Sequence, residues 1–219
     1  MARPRLLTRE RIVAAAAALV DAEGLEAVSV RRLAAELGVR GPSLYNHFAT
    51  KNEIVDAVAD AVVSQVDVSF FGTHDWRAAL RLWAQSFHEV LSAHPNIVPV
   101  LAHGPGRRPA GLAMADVVYG GLIDAGWPEA QATHIGALMR YLVTGSALGS
   151  FALGFAEDPR LYESYPHLRR AHLLAEHQHS VDEGAFTLGL DLLIAGLDRL
   201  YVSAKGVPHD VPRPALPRR

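Results

Sequence analysis

Apolar residues recur at intervals of three and four along most of this chain, and this period limits its possible folds more than any other feature. Such spacing places side chains on one face of an α-helix, whereas a half-buried β-strand requires strict alternation. The sequence contains no alternating apolar and polar run bounded by turn residues. Half of the residues are hydrophobic, which is enough to build a sizeable core. The sequence therefore predicts an all-α fold.

Capping residues and helix-stopping residues divide the N-terminal part of the chain into four helices. The clearest start is Thr50 with Glu53 three residues later, which is the spacing of a capping box. Pro42 lies in the first turn of a short helix that carries Leu44 and Phe48. The predicted helices cover about residues 8–23, 30–37, 42–48 and 50–66. N-cap residue types precede three of them, namely Thr8, Ser29 and Thr50.

The same signals continue through the rest of the chain. Further helices are predicted over about residues 75–93, 95–103, 111–125, 128–155 and 181–203. The segment between residues 158 and 180 is ambiguous, and Gly104-Pro105-Gly106 predicts a loop. Prolines beyond Gly206 predict a frayed tail. We therefore divide the chain into a small N-terminal domain (1–50), a larger helical domain (51–207) and a flexible tail (208–219).

Composition excludes several kinds of site and compartment. The chain has no cysteine, so disulfides, thiolate zinc sites and cysteine nucleophiles are excluded. No apolar run approaches the roughly 18 residues of a membrane span. An apolar stretch over residues 12–20 follows several arginines, but Glu10 interrupts the basic segment and no small-residue cleavage site follows. We therefore expect a helix of a cytoplasmic protein.

Charge is distributed unevenly between the two domains. Residues 1–51 carry a formal net charge of +3, whereas the remainder carries −5, which together give the net charge of −2. A polyanionic partner should therefore meet the first fifty or so residues. Because the asymmetry is modest, it favours nucleic acid only in combination with a motif.

A helix-turn-helix spacing occurs within this basic segment. Ala34 and Gly38 lie four residues apart, and Val39 and Leu44 follow at apolar positions. A small residue lets two helices cross closely, glycine permits the tight turn, and the apolar residues hold the second helix on the first. An ordinary corner between two helices of a core would show the same four residues.

The short helix after this turn has residue types suited to reading DNA. Apart from Leu44 and Phe48, its residues are small, hydrogen-bonding or amphipathic, as contact with base edges requires. Lys51 follows in the first turn of a capped helix, where free N–H groups, the positive helix dipole and an ammonium converge on a phosphate. Such a contact fixes position and carries no sequence information.

These residues also resemble a known family. Residues 29–39 and 41–48, with Leu44-Tyr45-x-His47-Phe48 followed by Lys51-x-Glu53, are similar to the DNA-binding domain of the TetR family of transcriptional repressors. The resemblance covers about residues 8–54, and the rest of the chain is consistent with that family's helical ligand-binding and dimerisation domain. It implies a regulator released from a palindromic operator by a small, mainly apolar effector. An activator or a metal-responsive regulator of the same fold is the alternative.

The resemblance also implies which residues contact DNA. It assigns base or backbone contacts to Gly41, Pro42, Ser43, Tyr45, Asn46 and His47. It assigns phosphate contacts to Ser29, Arg31 and Lys51. Tyr45 and His47 in such domains usually face the sugar-phosphate backbone, so base reading would depend mainly on the other four residues of the short helix.

A homodimer is expected on physical grounds and from the resemblance. A single head of charge +3 neutralises few phosphates, whereas two heads double that number and can meet half-sites roughly 34 Å apart. We expect a four-helix interface built from the helices over residues 135–155 and 181–203 of each subunit. Small residues within these helices would allow close approach, although packing inside one subunit is the alternative: Gly136, Ala137, Gly145, Ala147, Gly149, Gly184, Gly189 and Gly196.

An effector pocket is expected between the fourth helix and the helices over residues 75–125. The candidate lining residues are Trp83, Phe87, His88, Val100, His103, Met114, Val118, Met139 and Tyr141, although such a set is also typical of plain core. Ser86-Phe87, and His103 ahead of Arg108-Pro109, resemble the tetracycline-repressor subgroup, in which His103 would meet a ligand or its metal. Trp83 stands where that subgroup has a drug-binding amide, which argues against tetracycline itself. We hypothesise that ligand in the pocket shifts the fourth helix and changes the spacing of the two heads.

An enzyme is the rival interpretation, and the sequence does not favour it. Zincin, Walker, nucleophile-elbow and dinucleotide-binding motifs are all absent from the sequence. His172, Glu176, His177 and His179 cluster with the spacing of a possible metal-binding helix face, but a solvated, histidine-rich helix end is the simpler explanation. We therefore expect neither a catalytic activity nor a cofactor.

Overall fold

A computed structural model describes residues 6–102 and 106–205 of the chain. Within these residues every regular element is an α-helix or a short 3₁₀ turn, which confirms the all-α prediction. The helices are α1 (Arg9–Glu23), α2 (Val30–Leu37), α3 (Gly41–Tyr45), α4 (Lys51–Val63), α5 (Trp76–Ala93), α6 (Val98–Leu101), α7 (Pro109–Asp124), α8 (Glu129–Ala147) and α9 (Gln178–Lys205).

The N-terminal helices begin at their predicted caps. The Thr8 hydroxyl accepts a hydrogen bond from the Arg11 N–H at 3.3 Å, and the Ser29 hydroxyl accepts one from the Arg32 N–H at 3.2 Å. Gly38 follows α2 with φ of +66°, a left-handed conformation that suits glycine and turns the chain into α3. Local side-chain chemistry therefore sets these boundaries.

A small apolar core holds α1, α2 and α3 together. Ile12, Leu33, Leu44 and Phe48 are each at most 2% exposed, whereas Val39, which is also predicted to hold α3, is half-buried against this core. Helix α1 packs against both α2 and α4. Because the apolar side of α3 is buried, its opposite side faces solvent.

Helix α4 starts with the predicted cap and ends slightly early. Thr50 accepts the Glu53 N–H at 3.2 Å, while the Glu53 carboxylate accepts the N–H of Ala49, one residue before the expected partner. The helix ends at Val63, three residues short of the prediction. The chain continues to the buried Val66 in tighter turns, with N–H groups bonding to carbonyls three residues back.

Helix α5 lies at the centre of the C-terminal domain and packs against α4, α7, α8 and α9. Its buried face carries Leu80, Phe87 and Leu91, each at most 1% exposed, and Leu122 of α7 and Met139 of α8 are fully buried. No helix in the described part of the chain is long and apolar enough to cross a membrane.

Two predicted helices are wrong in extent. The helix expected over residues 95–103 is a 3₁₀ turn, Pro95–Ile97, followed by the single turn of α6, because Pro99 has no N–H to continue the first turn. Helix α8 ends at Ala147 and not near residue 155. There the Phe151 N–H bonds to the Asp182 carboxylate of α9 at 3.1 Å in place of a helical carbonyl.

The remaining predictions on connections have mixed outcomes. The ambiguous segment over residues 158–180 contains short 3₁₀ turns, and α9 begins at Gln178. Gly106 lies in a turn with φ of +58°, whereas Gly104, Pro105 and the predicted tail lie outside the described residues.

Candidate DNA interface and effector cavity

Helix α3 presents its predicted contact residues on the side away from the core. Pro42, Tyr45 and Asn46 are exposed, and Gly41, Ser43 and His47 are half-buried. Tyr45 is 57% exposed, so its ring and hydroxyl are both accessible to a partner. An exposed aromatic and an exposed amide beside a buried apolar stripe form a surface that a nucleic acid can contact.

The three predicted phosphate contacts lie at helix starts near this surface. Ser29 is the exposed N-cap of α2, and its hydroxyl still has a proton to donate after accepting the Arg32 N–H. Arg31 is exposed in the first turn of α2, and Lys51 is the first residue of α4. Free backbone N–H groups and positive charge therefore occur together at both helix starts.

Arg9 is a further residue of this surface, and the sequence analysis missed it. Its guanidinium lies 3.9 Å from the centroid of the Phe48 ring and donates a hydrogen bond to the His47 carbonyl oxygen. Arg9 thereby ties the end of α3 to the start of α1. Its position as the first helical residue after a basic segment is the only sequence signal for this role.

Two carboxylates of α4 hold the segment that leads into α7. Asp56 forms an ion pair with the buried Arg108 at 3.3 Å, and Arg108 also donates to the Val100 carbonyl at 3.3 Å. Asp60, one turn later, accepts the N–H groups of Ala110 at 2.8 Å and Gly111 at 3.4 Å. Asp60 therefore caps α7 from a different helix, with its negative charge at the positive end of the α7 dipole.

A small cavity of about 50 Å³, partly open to solvent, lies between α5, α7 and α8. Four predicted effector contacts come together there: Trp83, Phe87, Met114 and Val118. The complete lining is Trp83, Phe87, Gly111, Met114, Ala115, Val118, Tyr119, Gly136 and Arg140. Because Gly111 is also held by Asp60, the first turns of α7 connect the cavity to α4.

The other predicted effector contacts lie elsewhere. Met139 is fully buried in the core and Val100 is half-buried, but neither lines the cavity. Tyr141 is 68% exposed on the outside of α8, so the prediction that it lines an internal pocket is wrong for this structure. His103 lies outside the described residues.

His88 is buried in the core next to the cavity and does not line it. Its ring stacks on Phe186 with centroids 3.9 Å apart, and its Nδ1 lies 3.9 Å from the Glu183 carboxylate. Burial lowers the pKa of His88, while Glu183 and Glu89 oppose that shift. The imidazole therefore belongs to the α5–α9 packing.

Arg140 is the charged residue of the cavity, and the sequence analysis did not single it out. It donates a hydrogen bond to the Leu101 carbonyl oxygen. Burial lowers the pKa of Arg140, and the nearby positive charge of Arg108 lowers it further. A cation that lines an aromatic and aliphatic cavity can bind a polar group of a ligand whose other surfaces are apolar.

Helices α8 and α9 carry a row of exposed apolar side chains at helical spacing. The row includes Leu138 and Tyr141 of α8 and Leu188, Leu192 and Leu200 of α9, each at least 45% exposed. An open groove of about 540 Å³ between the two helices is lined in part by the first and last of these leucines. We call this surface the α8/α9 face. Its apolar character marks it as an interaction surface.

The small residues of α8 and α9 divide into two sets. Gly136 and Gly189 serve packing within the subunit, since a Cβ atom there would lie 2.2 Å from Tyr119 and 3.0 Å from Leu142. A Cβ atom on Gly145, Gly184 or Gly196 would meet nothing within 4 Å among the described residues. Space is thus left beside these three glycines.

The histidine cluster of the sequence does not form a metal site in the described residues. No group of three His, Asp or Glu side chains there could hold a metal ion. The metal-binding face required a continuous helix, but the segment consists of 3₁₀ turns over Ala171–Leu173 and Ala175–His177 before α9 begins.

Two family models together match most of the chain. The model described as bacterial regulatory proteins of the tetR family matches residues 12–58. The model described as the tetracyclin repressor-like C-terminal domain matches residues 71–201. The first match contains α2, α3 and the start of α4, and the second contains the cavity and the α8/α9 face.

Several individual proteins that are similar to this chain are named as transcription regulators. The tetracycline repressor protein class C of Escherichia coli is 29% identical over 92% of this chain and 95% of its own. An HTH-type transcriptional regulator of Saccharopolyspora erythraea is 33% identical, over 64% of this chain and 60% of its own. The crystal structure of apo ActR from Streptomyces coelicolor has a TM-score of 0.73 at 28% identity, covering 90% of this chain and 96% of that one. A complex of ActR with actinorhodin has a TM-score of 0.68 at 29% identity, with coverage of 88% and 97%.

Proposed function

Because the chain belongs to the TetR family of bacterial regulatory proteins, we propose that it is a homodimeric repressor that leaves a palindromic operator when a small, mainly apolar effector enters its C-terminal domain. As a family member it is a ligand-responsive, DNA-binding transcription regulator. The observation that carries the proposal is α3, whose apolar side is buried and whose polar side is open to a DNA groove. The protein acts by binding and not by catalysis, on DNA in the cytoplasm.

The DNA contacts divide into two groups by chemistry. Ser29, Arg31 and Lys51 bind phosphates from the starts of α2 and α4, which sets the position of the domain on the duplex. Tyr45 and His47 face the sugar-phosphate backbone. The residues that read bases from α3 are Gly41, Pro42, Ser43 and Asn46, and among them Asn46 has an exposed amide able to pair with adenine.

The α8/α9 face pairs two subunits. Exposed leucines at helical spacing would pack against the same residues of a second copy, because a two-fold interface is self-complementary. The open space beside Gly145, Gly184 and Gly196 allows the partner's helices to approach closely. Two recognition helices held in this way are suited to half-sites about one turn of DNA, roughly 34 Å, apart.

Helix α4 carries the effector signal to the DNA. Its first residue, Lys51, lies at the DNA surface, and Asp60 caps α7, whose following turns line the cavity. A cavity of about 50 Å³ is far below the roughly 300–1,000 Å³ of small-molecule sites. Effector entry therefore pushes its walls apart, and the movement of α7 is passed to α4 through Asp60. The effector releases DNA to the extent that it binds the displaced state more tightly.

An unbiased selection tests this function. The purified protein is mixed with random duplexes at low ionic strength, bound molecules are sequenced, and fluorescence anisotropy measures affinity for the enriched duplex. We expect one palindromic sequence with half-sites about one turn apart. If no duplex is enriched over the starting pool, the proposed function is wrong. Placing the enriched sequence upstream of a reporter gene separates repression from activation.

A further inference from the structure

Arg140 brings a positive charge to a cavity lined mainly by aromatic and aliphatic groups. It lines the cavity from α8, together with Met114 and Val118 of α7 and Trp83 and Phe87 of α5. A purely apolar effector would not explain a cation at this place. Removing a guanidinium from water costs free energy, whereas burying an aliphatic side chain does not.

Among the described residues no carboxylate neutralises the charge of Arg140, although Tyr119 and Tyr141 oppose the lowering of its pKa by burial and by Arg108. In the part of the chain that the structure describes, no Asp or Glu forms an ion pair with it. One of its five N–H donors is used by the Leu101 carbonyl. Its charged neighbour is Arg108, which has the same sign and is paired with Asp56. An anion beside Arg140 would offset both its desolvation and this repulsion.

Trp83 supplies a second donor at the same cavity. Its indole N–H is buried and has no hydrogen-bond acceptor within the described residues. A buried donor without an acceptor is unfavourable, because it has lost its hydrogen bonds to water and gained none in the protein. A ligand with oxygen atoms could satisfy Trp83 and Arg140 together, because both line one small space.

We propose that the effector is an organic acid whose carboxylate binds the Arg140 guanidinium while its flat apolar body lies against the rings of Trp83 and Phe87, in the space that the Tyr119 ring vacates. A guanidinium and a carboxylate match in geometry, since two parallel N–H groups can meet two oxygens. The aromatic lining suits a ring system by offset or edge contacts. This inference rests on the function proposed above, because it assigns the ligand class of the same cavity.

The ring of Tyr119 occupies much of the space that the acid needs. It packs directly on the backbone of Gly136, where even a Cβ atom would lie 2.2 Å from it. Tyr119 is half-buried, so part of its side chain already meets solvent, and its ring must rotate further outward for the acid to enter. The acid replaces this ring between α7 and α8, which opens the cavity and leaves its carboxylate at Arg140.

Matched pairs of acids and amides test the proposal. The probes are benzoate, 2-naphthoate and anthracene-2-carboxylate, each compared with its neutral carboxamide of nearly equal shape. Isothermal titration calorimetry measures binding to the full chain and to the Arg140→Met, Arg140→Lys and Arg107→Met variants. Arg107 is an exposed arginine of the segment before α7 and provides the control. Circular dichroism checks that each variant is folded. If Arg140→Met does not fold, Arg140→Lys serves in its place, because it keeps the positive charge.

We expect at least one acid to bind with a Kd of about 1 mM or tighter and its amide to bind roughly tenfold more weakly. Arg140→Met should weaken that acid by roughly tenfold or more, Arg140→Lys by less, and Arg107→Met not at all. The proposal is wrong if no acid binds, if acid and amide bind alike, or if Arg140→Met binds the acid as the wild type does. Enrichment of an operator would still support the proposed function in each of those cases, so the two failures are distinguishable.

Discussion

At the scale of single residues, the side chains that stay on the surface were easier to assign from sequence than those that meet inside. The exposure of Tyr45 and Asn46 could be predicted because the apolar positions of this short segment follow from neighbouring residues alone. Arg140 could not be foreseen, since its surroundings come from Leu101, Arg108 and Trp83, which are distant in sequence. Tyr141, one residue later, points outward, and apolar type alone could not separate a cavity wall from an interface.

Asn46 and Lys51 should affect DNA binding differently. Asn46→Ala should relax base preference at one position of each half-site, because we propose that its exposed amide, directly after α3, reads a base. Lys51→Ala should weaken binding to all duplexes and reduce the slope of log K against log salt by about 2 per dimer, one phosphate for each subunit. Anisotropy titrations on operator and scrambled duplexes at several salt concentrations measure both effects. Equal losses on scrambled DNA for the two variants would contradict this division.

His88 should make stability depend on pH. Burial lowers its pKa below the ordinary value of 6.5, so the unfolded chain binds a proton that the folded chain resists. The free energy of unfolding should therefore be at its full value above that ordinary pKa and decrease as the pH falls through and below it. His88→Phe keeps a ring against Phe186 without a titrating group, and its stability should fall less over the same range.

Urea titrations between pH 7.5 and 5.5, at one protein concentration, measure this difference. The exposed His167 provides the control, because His167→Gln should retain the wild-type pH dependence. A decline in His88→Phe as steep as in the wild type would show that other groups are responsible.

At the scale of secondary-structure elements, boundaries set by neighbouring residues were predicted well and boundaries set by distant residues were not. Thr8, Ser29 and Thr50 cap their own helices, so the starts of α1, α2 and α4 follow from short sequence patterns. The segment after α8 is held by Asp182, which lies 31 residues beyond Phe151 and accepts its N–H. The start of α7 is capped by Asp60, about 50 residues earlier in the chain. Such long-range caps have no local signature.

The Asp60 cap predicts a loss of order confined to the start of α7. Asp60→Ala should lower the free energy of unfolding by about 1 kcal/mol and speed amide exchange at Ala110 and Gly111, whose N–H groups it holds. Asp60→Asn keeps an acceptor oxygen and should lose less. Hydrogen-exchange mass spectrometry and urea unfolding measure these effects. The exposed Asp116 of α7 is the control, and exchange at the two amides should be unchanged in Asp116→Ala.

At the scale of the whole molecule, the chain joins a positive head to a negative body through one helix. That helix, α4, also packs against α5, and α1 makes a second contact between head and body, where the Asp21 carboxylate lies 2.9 Å from the His94 Nδ1 and Asn96 donates to the Val20 carbonyl oxygen at 2.8 Å. Charge asymmetry and the helix-turn-helix residues made the head predictable. The body was predicted only as helices, because its cavity and its exposed face depend on which apolar residues the packing of α5, α7, α8 and α9 leaves uncovered.

The α8/α9 face predicts that operator binding depends on pairing of subunits. Leu192 is 65% exposed on this face, so Leu192→Lys should cost little in the fold of one subunit while placing two like charges in a dimer interface. We expect sedimentation velocity to show monomers at micromolar concentration and operator affinity to fall by roughly tenfold or more, since each half-site then binds alone. Leu161→Lys is the matched control, because Leu161 is 56% exposed but lies on neither helix. A Leu192→Lys protein that remains dimeric would place the interface on another surface, and with it the geometry that sets the spacing of the two heads.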